Sequence, residues 1–135
     1  MQQPRKTTSI LRGMTLLEMT LVLLVLLTLI SVGLFSSKKY GDWKLARAAS
    51  EGLRDVYSAQ RMYLADNPTV AVTSLTTNML LPYLPNNATA LPTVKSLTGV
   101  TLTYNVTVSP PLLLLNGATY DPSGSSSDSL WDVGE

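Results

Sequence analysis

Residues 19–37 run for nineteen positions without a charge, and between Leu21 and Ile30 only Thr28 interrupts the aliphatic side chains. A helix that is apolar all round has to be covered either by a large protein core or by lipid. With 135 residues the chain is too short for a multidomain enzyme and too small to bury such a helix. A membrane-spanning helix is therefore predicted. Counted from Met14 to Phe35 it has 22 residues, about 33 Å of helix against a hydrocarbon core of about 30 Å. Charged residues supply only 14% of the chain and apolar residues 45%, so a segment that does not face water is expected from composition as well.

The flanks give the segment a direction. Residues 1–13 carry Arg5, Lys6 and Arg12 with no acid, whereas Lys38 and Lys39 on the far side are soon offset by Asp42. The positive-inside rule then predicts a cytoplasmic N-terminus, with the rest of the chain on the far side of the membrane. A basic start, an apolar run and small residues such as Ser31 and Gly33 also compose a secretory signal peptide, which is the competing reading. Neither an ordinary anchor nor a signal peptide accounts for Glu18, a carboxylate at the start of the apolar segment. A central Asp, Lys or Arg costs about 2.5–3.5 kcal/mol on insertion, and an acid nearer the end costs less but still needs a partner. Arg12 lies six residues back, off the spacings at which helical side chains meet.

Much common chemistry is excluded. The chain has no cysteine and no histidine, which removes disulfides, thiolate nucleophiles, Cys/His zinc sites and His-dependent triads. Ten Lys and Arg against nine Asp and Glu give no basic face for nucleic acid. No phosphate-binding Gly-rich loop is present, and the chain reads as a non-enzyme.

Downstream, Ala46, Ala49, Leu53, Val56, Gln60 and Tyr63 recur at helical spacing, which predicts an amphipathic helix over residues 38–66. No proline occurs between Pro4 and Pro68, so this helix is expected to continue the membrane helix, and Asn67-Pro68 ends it. Residues 79–85 read as an apolar loop or a short helix cut at Pro82 and Pro85. Alternation over residues 100–108 predicts a nine-residue strand, residues 112–115 a second, and Asn116-Gly117 a turn into a third at 118–120. Residues 67–135 form too small a unit to make a core alone, so the sheet is expected to pack on the helix stripe. Trp43 and Trp131 read as packing residues. Asp121, Asp128, Asp132 and Glu135 form an acidic cluster among Ser and Gly, either a solvated tail or a site for a hard cation.

The junction Arg12-Gly13-Met14-Thr15-Leu16-Leu17-Glu18, followed by the apolar helix, resembles the class III signal of type IV pilins and pseudopilins. That family has a short basic leader ending in Gly, an apolar first mature residue, often Phe, and Glu at mature position five. Gly13, Met14 and Glu18 fill those places, with Met14 departing from Phe. The resemblance implies a pilin-like α+β fold: a leader at residues 1–13, an assembly helix at 14–37, an amphipathic helix at 38–66 and a small periplasmic β-rich domain at 67–135. It implies cleavage between Gly13 and Met14 by a prepilin peptidase and N-methylation of Met14. It also implies an inner-membrane assembly platform and copies of itself or other pilin-like subunits as partners, with Glu18 as the charge that sets subunit register.

The short chain without a cysteine pair is most similar to type II secretion pseudopilins. A type IV pilus subunit and a single-pass membrane-anchored periplasmic binding module are the alternatives. Major pseudopilins hold calcium in a C-terminal loop, which by resemblance points to Asp121, Asp128 and Asp132.

Overall fold

The computed structural model describes residues 15–134. Its architecture is α+β: a 51-residue helix α1 (Leu16–Asp66), a short helix α2 (Thr77–Leu80), and a three-stranded antiparallel sheet of β1 (Thr103–Asn105), β2 (Leu112–Leu115) and β3 (Ala118–Thr119). The chain divides between Ser37 and Lys38 into two compact units.

In the first unit every described side chain is exposed, and the helix is long and apolar enough to cross a membrane. Three of its hydroxyls are satisfied within the helix: Thr20 and Thr28 donate to the carbonyls of Leu17 and Val25, and Ser31 donates to that of Leu27. This matters in lipid, where an unpaired polar group has no water to turn to.

In the second unit, α1 buries Ala46, Ala49, Ser50, Gly52, Leu53, Val56, Ala59 and Gln60. Most of these are small, so other backbone can approach the helix closely. Two apolar clusters follow along this face. One joins Ala46, Ala49 and Leu53 to Val94, Leu102, Leu113, Trp131 and Val133. The other joins Val56 and Ala59 to Leu75, Leu80, Leu84 and Val106, and Tyr104 packs against both. The helix stops at Asp66, as the Asn67-Pro68 signal predicts: Asn67 donates both its backbone N–H and its side-chain amide to the Tyr63 carbonyl, at 2.9 and 3.0 Å. Residues 77–87 form α2 and two single-turn 3₁₀ segments starting at Leu81 and Pro85, which place Leu80 and Leu84 in the second cluster.

The second strand lies at Leu112–Leu115, where it is predicted. Asn116 and Gly117 both have positive φ, 52° and 85°, and make the two-residue turn into β3. The nine-residue first strand is corrected. Burial alternates over Leu102, Tyr104 and Val106, but ladder pairing is confined to Thr103–Asn105, with an isolated bridge from Lys95 to Thr101. The reason is side-chain competition for the backbone. Asn105 Oδ1 accepts from Thr107 N–H at 3.1 Å, while the Gln60 amide donates to the carbonyls of Val106 and Val108 at 3.0 and 2.8 Å. A buried helix side chain thus stands where a strand partner was expected.

Gly52 sits where the helix meets Tyr104. A Cβ at Gly52 would lie 2.5 Å from the Tyr104 hydroxyl, which is itself buried without a hydrogen-bond partner. Burial, aided by the charge of Asp55, pushes the Tyr104 phenol up to about 12. In thermal melts of the full chain in micelles, Gly52→Ala should lower the midpoint despite the roughly 1 kcal/mol helix-propensity advantage of Ala. Tyr104→Phe should raise the midpoint by removing an unpaired hydroxyl, a gain of about 1–3 kcal/mol, and should rescue Gly52→Ala. Because the folded pKa lies above the unfolded one, the wild type should lose stability as pH rises from the ordinary tyrosine value through the folded value, and Tyr104→Phe should flatten that slope.

Candidate functional site

At the start of α1, Glu18 and Thr15 hold each other. The Glu18 N–H donates to Thr15 Oγ1 at 3.3 Å, and the Thr15 N–H donates to Glu18 Oε2 at 3.4 Å. This is a reciprocal capping box, in which two of the unpaired donors of the first helical turn are satisfied and the carboxylate faces the positive end of the helix dipole. Glu18 therefore has a local partner that ion-pair spacing alone does not reveal. Its signal in the sequence is the Thr-x-x-Glu string ahead of an apolar run. A carboxylate has about four acceptor positions, so one bond to Thr15 leaves capacity for a cation. Gly13 and Met14, the predicted cleavage and methylation residues, lie outside the described residues.

The C-terminal segment is the second candidate. It is not a solvated tail: Trp131, Asp132 and Val133 are buried. Arg54, next to Leu53 at the centre of the buried helix face, donates from Nε to the Val133 carbonyl at 3.0 Å and from Nη2 to Ser129 Oγ at 2.7 Å. Trp131 donates its backbone N–H to the Ala46 carbonyl at 3.3 Å, and its ring meets Tyr120 edge-on at 5.1 Å. Ser129 and Trp131 adopt positive φ, 61° and 68°, a conformation unfavourable for a bulky side chain and held here by the burial of the indole. Arg54 reads in the sequence as one more solvent-facing helix charge, and nothing local marks it as the clamp. Trp43, expected to pack, is instead 50% exposed.

Two of the three predicted aspartates come together. Asp128 Oδ1 accepts from Leu130 N–H at 2.9 Å, Asp132 Oδ1 accepts from Ser129 N–H at 3.2 Å, and the two carboxyls lie within hydrogen-bonding reach of each other. Asp132 is 7% exposed and its Oδ2 is buried with no donor facing it. Burial, and then the hydrogen bond and charge of Asp128, push the Asp132 carboxyl up. For Asp128, burial opposes the charge, but hydrogen bonds from Asp132, the Leu130 N–H and Ser123 outweigh it and hold its carboxyl below the usual range. Asp121 instead closes its own turn, its Oδ1 accepting from the Ser123 N–H and hydroxyl at 3.1 and 2.6 Å. Among the described residues, no group of three or more acidic side chains is arranged to hold a metal. The Asp128–Asp132 pair, with an orphaned buried oxygen, still suits a hard cation that draws further ligands from carbonyls and water.

Compared with known protein families, curated proteins and solved structures, the chain matches none.

Proposed function

We propose that the chain is a structural subunit of a pilin-like filament, in its closest reading a type II secretion pseudopilin. In this reading residues 14–37 hold it in the inner membrane until a prepilin peptidase cuts after Gly13 and Met14 is N-methylated. An assembly platform then draws it into the filament. The observation that carries the reading is Glu18, an acid at the first turn of a helix whose apolar surface is exposed throughout residues 16–37. Such a helix needs neighbours, and in a bundle of identical helices a carboxylate needs a cation. The α-amine left at Met14 would be largely protonated. It would precede Glu18 by about 6 Å along the axis, so subunits staggered by that rise can set one chain's amine against the next chain's carboxylate. Breaking a pair of this kind leaves a buried charge unpaired and costs about 3–5 kcal/mol.

The local cap makes a sharp test. Glu18→Gln keeps an acceptor for the Thr15 N–H and removes the charge, whereas Thr15→Ala removes the hydroxyl half of the box and keeps the charge. In cells carrying the assembly machinery, sheared filaments should fall at least tenfold for Glu18→Gln, a loss equivalent to about 1.4 kcal/mol or more, and persist for Thr15→Ala. Full assembly of Glu18→Gln would reduce Glu18 to a helix cap.

The second element of the reading is calcium in the C-terminal loop, held by Asp128 and Asp132. The ion would neutralise two adjacent carboxylates and give the orphaned Asp132 oxygen a partner, bracing the loop that Arg54 already grips from the helix. A ligand that binds only the folded state stabilises it by about 2.7 kcal/mol at a hundredfold excess over its dissociation constant. Calcium should raise the melting midpoint of the full chain in micelles relative to chelator. The shift should vanish in the combined variant Asp128→Asn, Asp132→Asn and survive Asp121→Asn. Equal midpoints with and without calcium would remove the ion from the account.

A further inference from the structure

Immediately after the apolar segment the helix carries Lys38, Lys39, Tyr40, Trp43 and Lys44. Tyr40 and Trp43 stack at 6.1 Å with 61% and 50% of their surface exposed, and the Lys44 ammonium lies 5.6 Å from the Tyr40 ring centre. Exposed stacked aromatics this large need a reason in a unit that buries its other tryptophan.

A second element stands beside them. Leu97 and Trp43 line the same open groove of about 310 Å³. Leu97 is 42% exposed, yet its loop is firmly built. Ser96 N–H donates to the Val100 carbonyl at 2.8 Å, Ser96 Oγ accepts from Val100 N–H at 3.0 Å, and the Leu97 N–H donates to the Tyr120 hydroxyl at 3.0 Å. Gly99, at φ 83°, closes the turn. Six hydrogen-bonding groups thus hold a leucine outward, flanked by Lys95 and by Val100, itself 48% exposed.

We infer that Tyr40, Trp43 and the Leu97 loop form a lipid-docking edge that seats in the headgroup boundary of an anionic bilayer. Tyr40 and Trp43 follow Ser37 by three and six residues, about 4.5 and 9 Å of helical rise, which places Tyr40 within the headgroup region of about 5–7.5 Å beside the hydrocarbon core and Trp43 at its outer edge. Amphipathic aromatic rings are favoured at that level, and Leu97 supplies an apolar contact from a separate part of the chain. Lys38, Lys39, Lys44 and Lys95 against Asp42 give the edge the sign that attracts phosphatidylglycerol or other anionic lipid. The inference rests on residues 16–37 crossing a membrane and not on filament assembly. It makes the edge a second membrane contact that fixes the unit's orientation at the bilayer surface.

Because the chain has no cysteine, Leu97→Cys accepts a single environment-sensitive fluorophore without background, and Thr73→Cys, exposed beside the second core cluster, is the control. The full chain is reconstituted in vesicles of phosphatidylcholine with phosphatidylglycerol, and quenching is read from brominated lipid and from aqueous iodide. The label on Leu97→Cys should be quenched by brominated lipid and shielded from iodide, the label on Thr73→Cys the reverse. Adding Lys44→Glu and Lys95→Glu should weaken the lipid quenching. If the chain floats with the vesicles but both labels report water, the docking edge is overturned while the membrane anchor stands. If the chain does not float, the anchor fails and the inference falls with it. Equal lipid quenching in pure phosphatidylcholine would overturn the role of the lysines.

Discussion

The small-residue face of α1 from Ala46 to Gln60 is the surface on which the second unit is assembled. Alanines, a serine and a glycine leave the helix thin enough for Tyr104 to lie against Gly52 and for two apolar clusters to form side by side along one stripe. The sheet is only three short strands and could not hold a core by itself. Helix side chains do part of the work of a sheet: Gln60 takes two carbonyls from the segment that follows the first strand, and Arg54 takes the C-terminal loop. Substitutions on this face therefore act on the sheet and the loop together, although these are far apart in sequence.

The same helix has the opposite character before Lys38. Residues 15–37 are exposed, and the hydroxyls of Thr20, Thr28 and Ser31 are closed back onto the helix, which suits the segment to an environment without water. A helix of this kind can face lipid or like helices, and a subunit that moves from bilayer to filament uses both. Glu18 is placed where the two situations differ. In the proposed function, the cap would let a lone helix tolerate the acid at the membrane surface, and in a bundle the remaining acceptor capacity would serve a neighbour's cation.

The elements that depend on local signals were legible in the sequence. The apolar run, the helix end at Asn67-Pro68, the second strand and the Asn116-Gly117 turn are each written in adjacent residues and lie where those residues put them. What was not legible depends on partners distant in sequence. Alternation over residues 100–108 reports a buried face but not what pairs with the backbone, and Gln60, some 46 residues away, ends the ladder. Arg54 reaches Val133 across 79 positions. Asp132 gave no sign of burial because its loop is held down by Trp131 and Arg54 rather than by its own Ser and Gly residues. The Thr15–Glu18 box is readable from spacing, as a Thr-x-x-Glu string ahead of an apolar run, and its partners are backbone donors rather than a cation.

The central claim is that the leader is removed at a single peptide bond to expose an assembly terminus, and mass spectrometry of the native protein's N-terminus tests it most directly. The account predicts an N-terminal peptide that begins at Met14, carries one added methyl group and lacks residues 1–13 in assembled material. An N-terminus that retains Arg5, Lys6 and Arg12 would contradict it, as would cleavage near Ser31 to Gly33, the mark of an ordinary secretory signal that discards the apolar helix altogether.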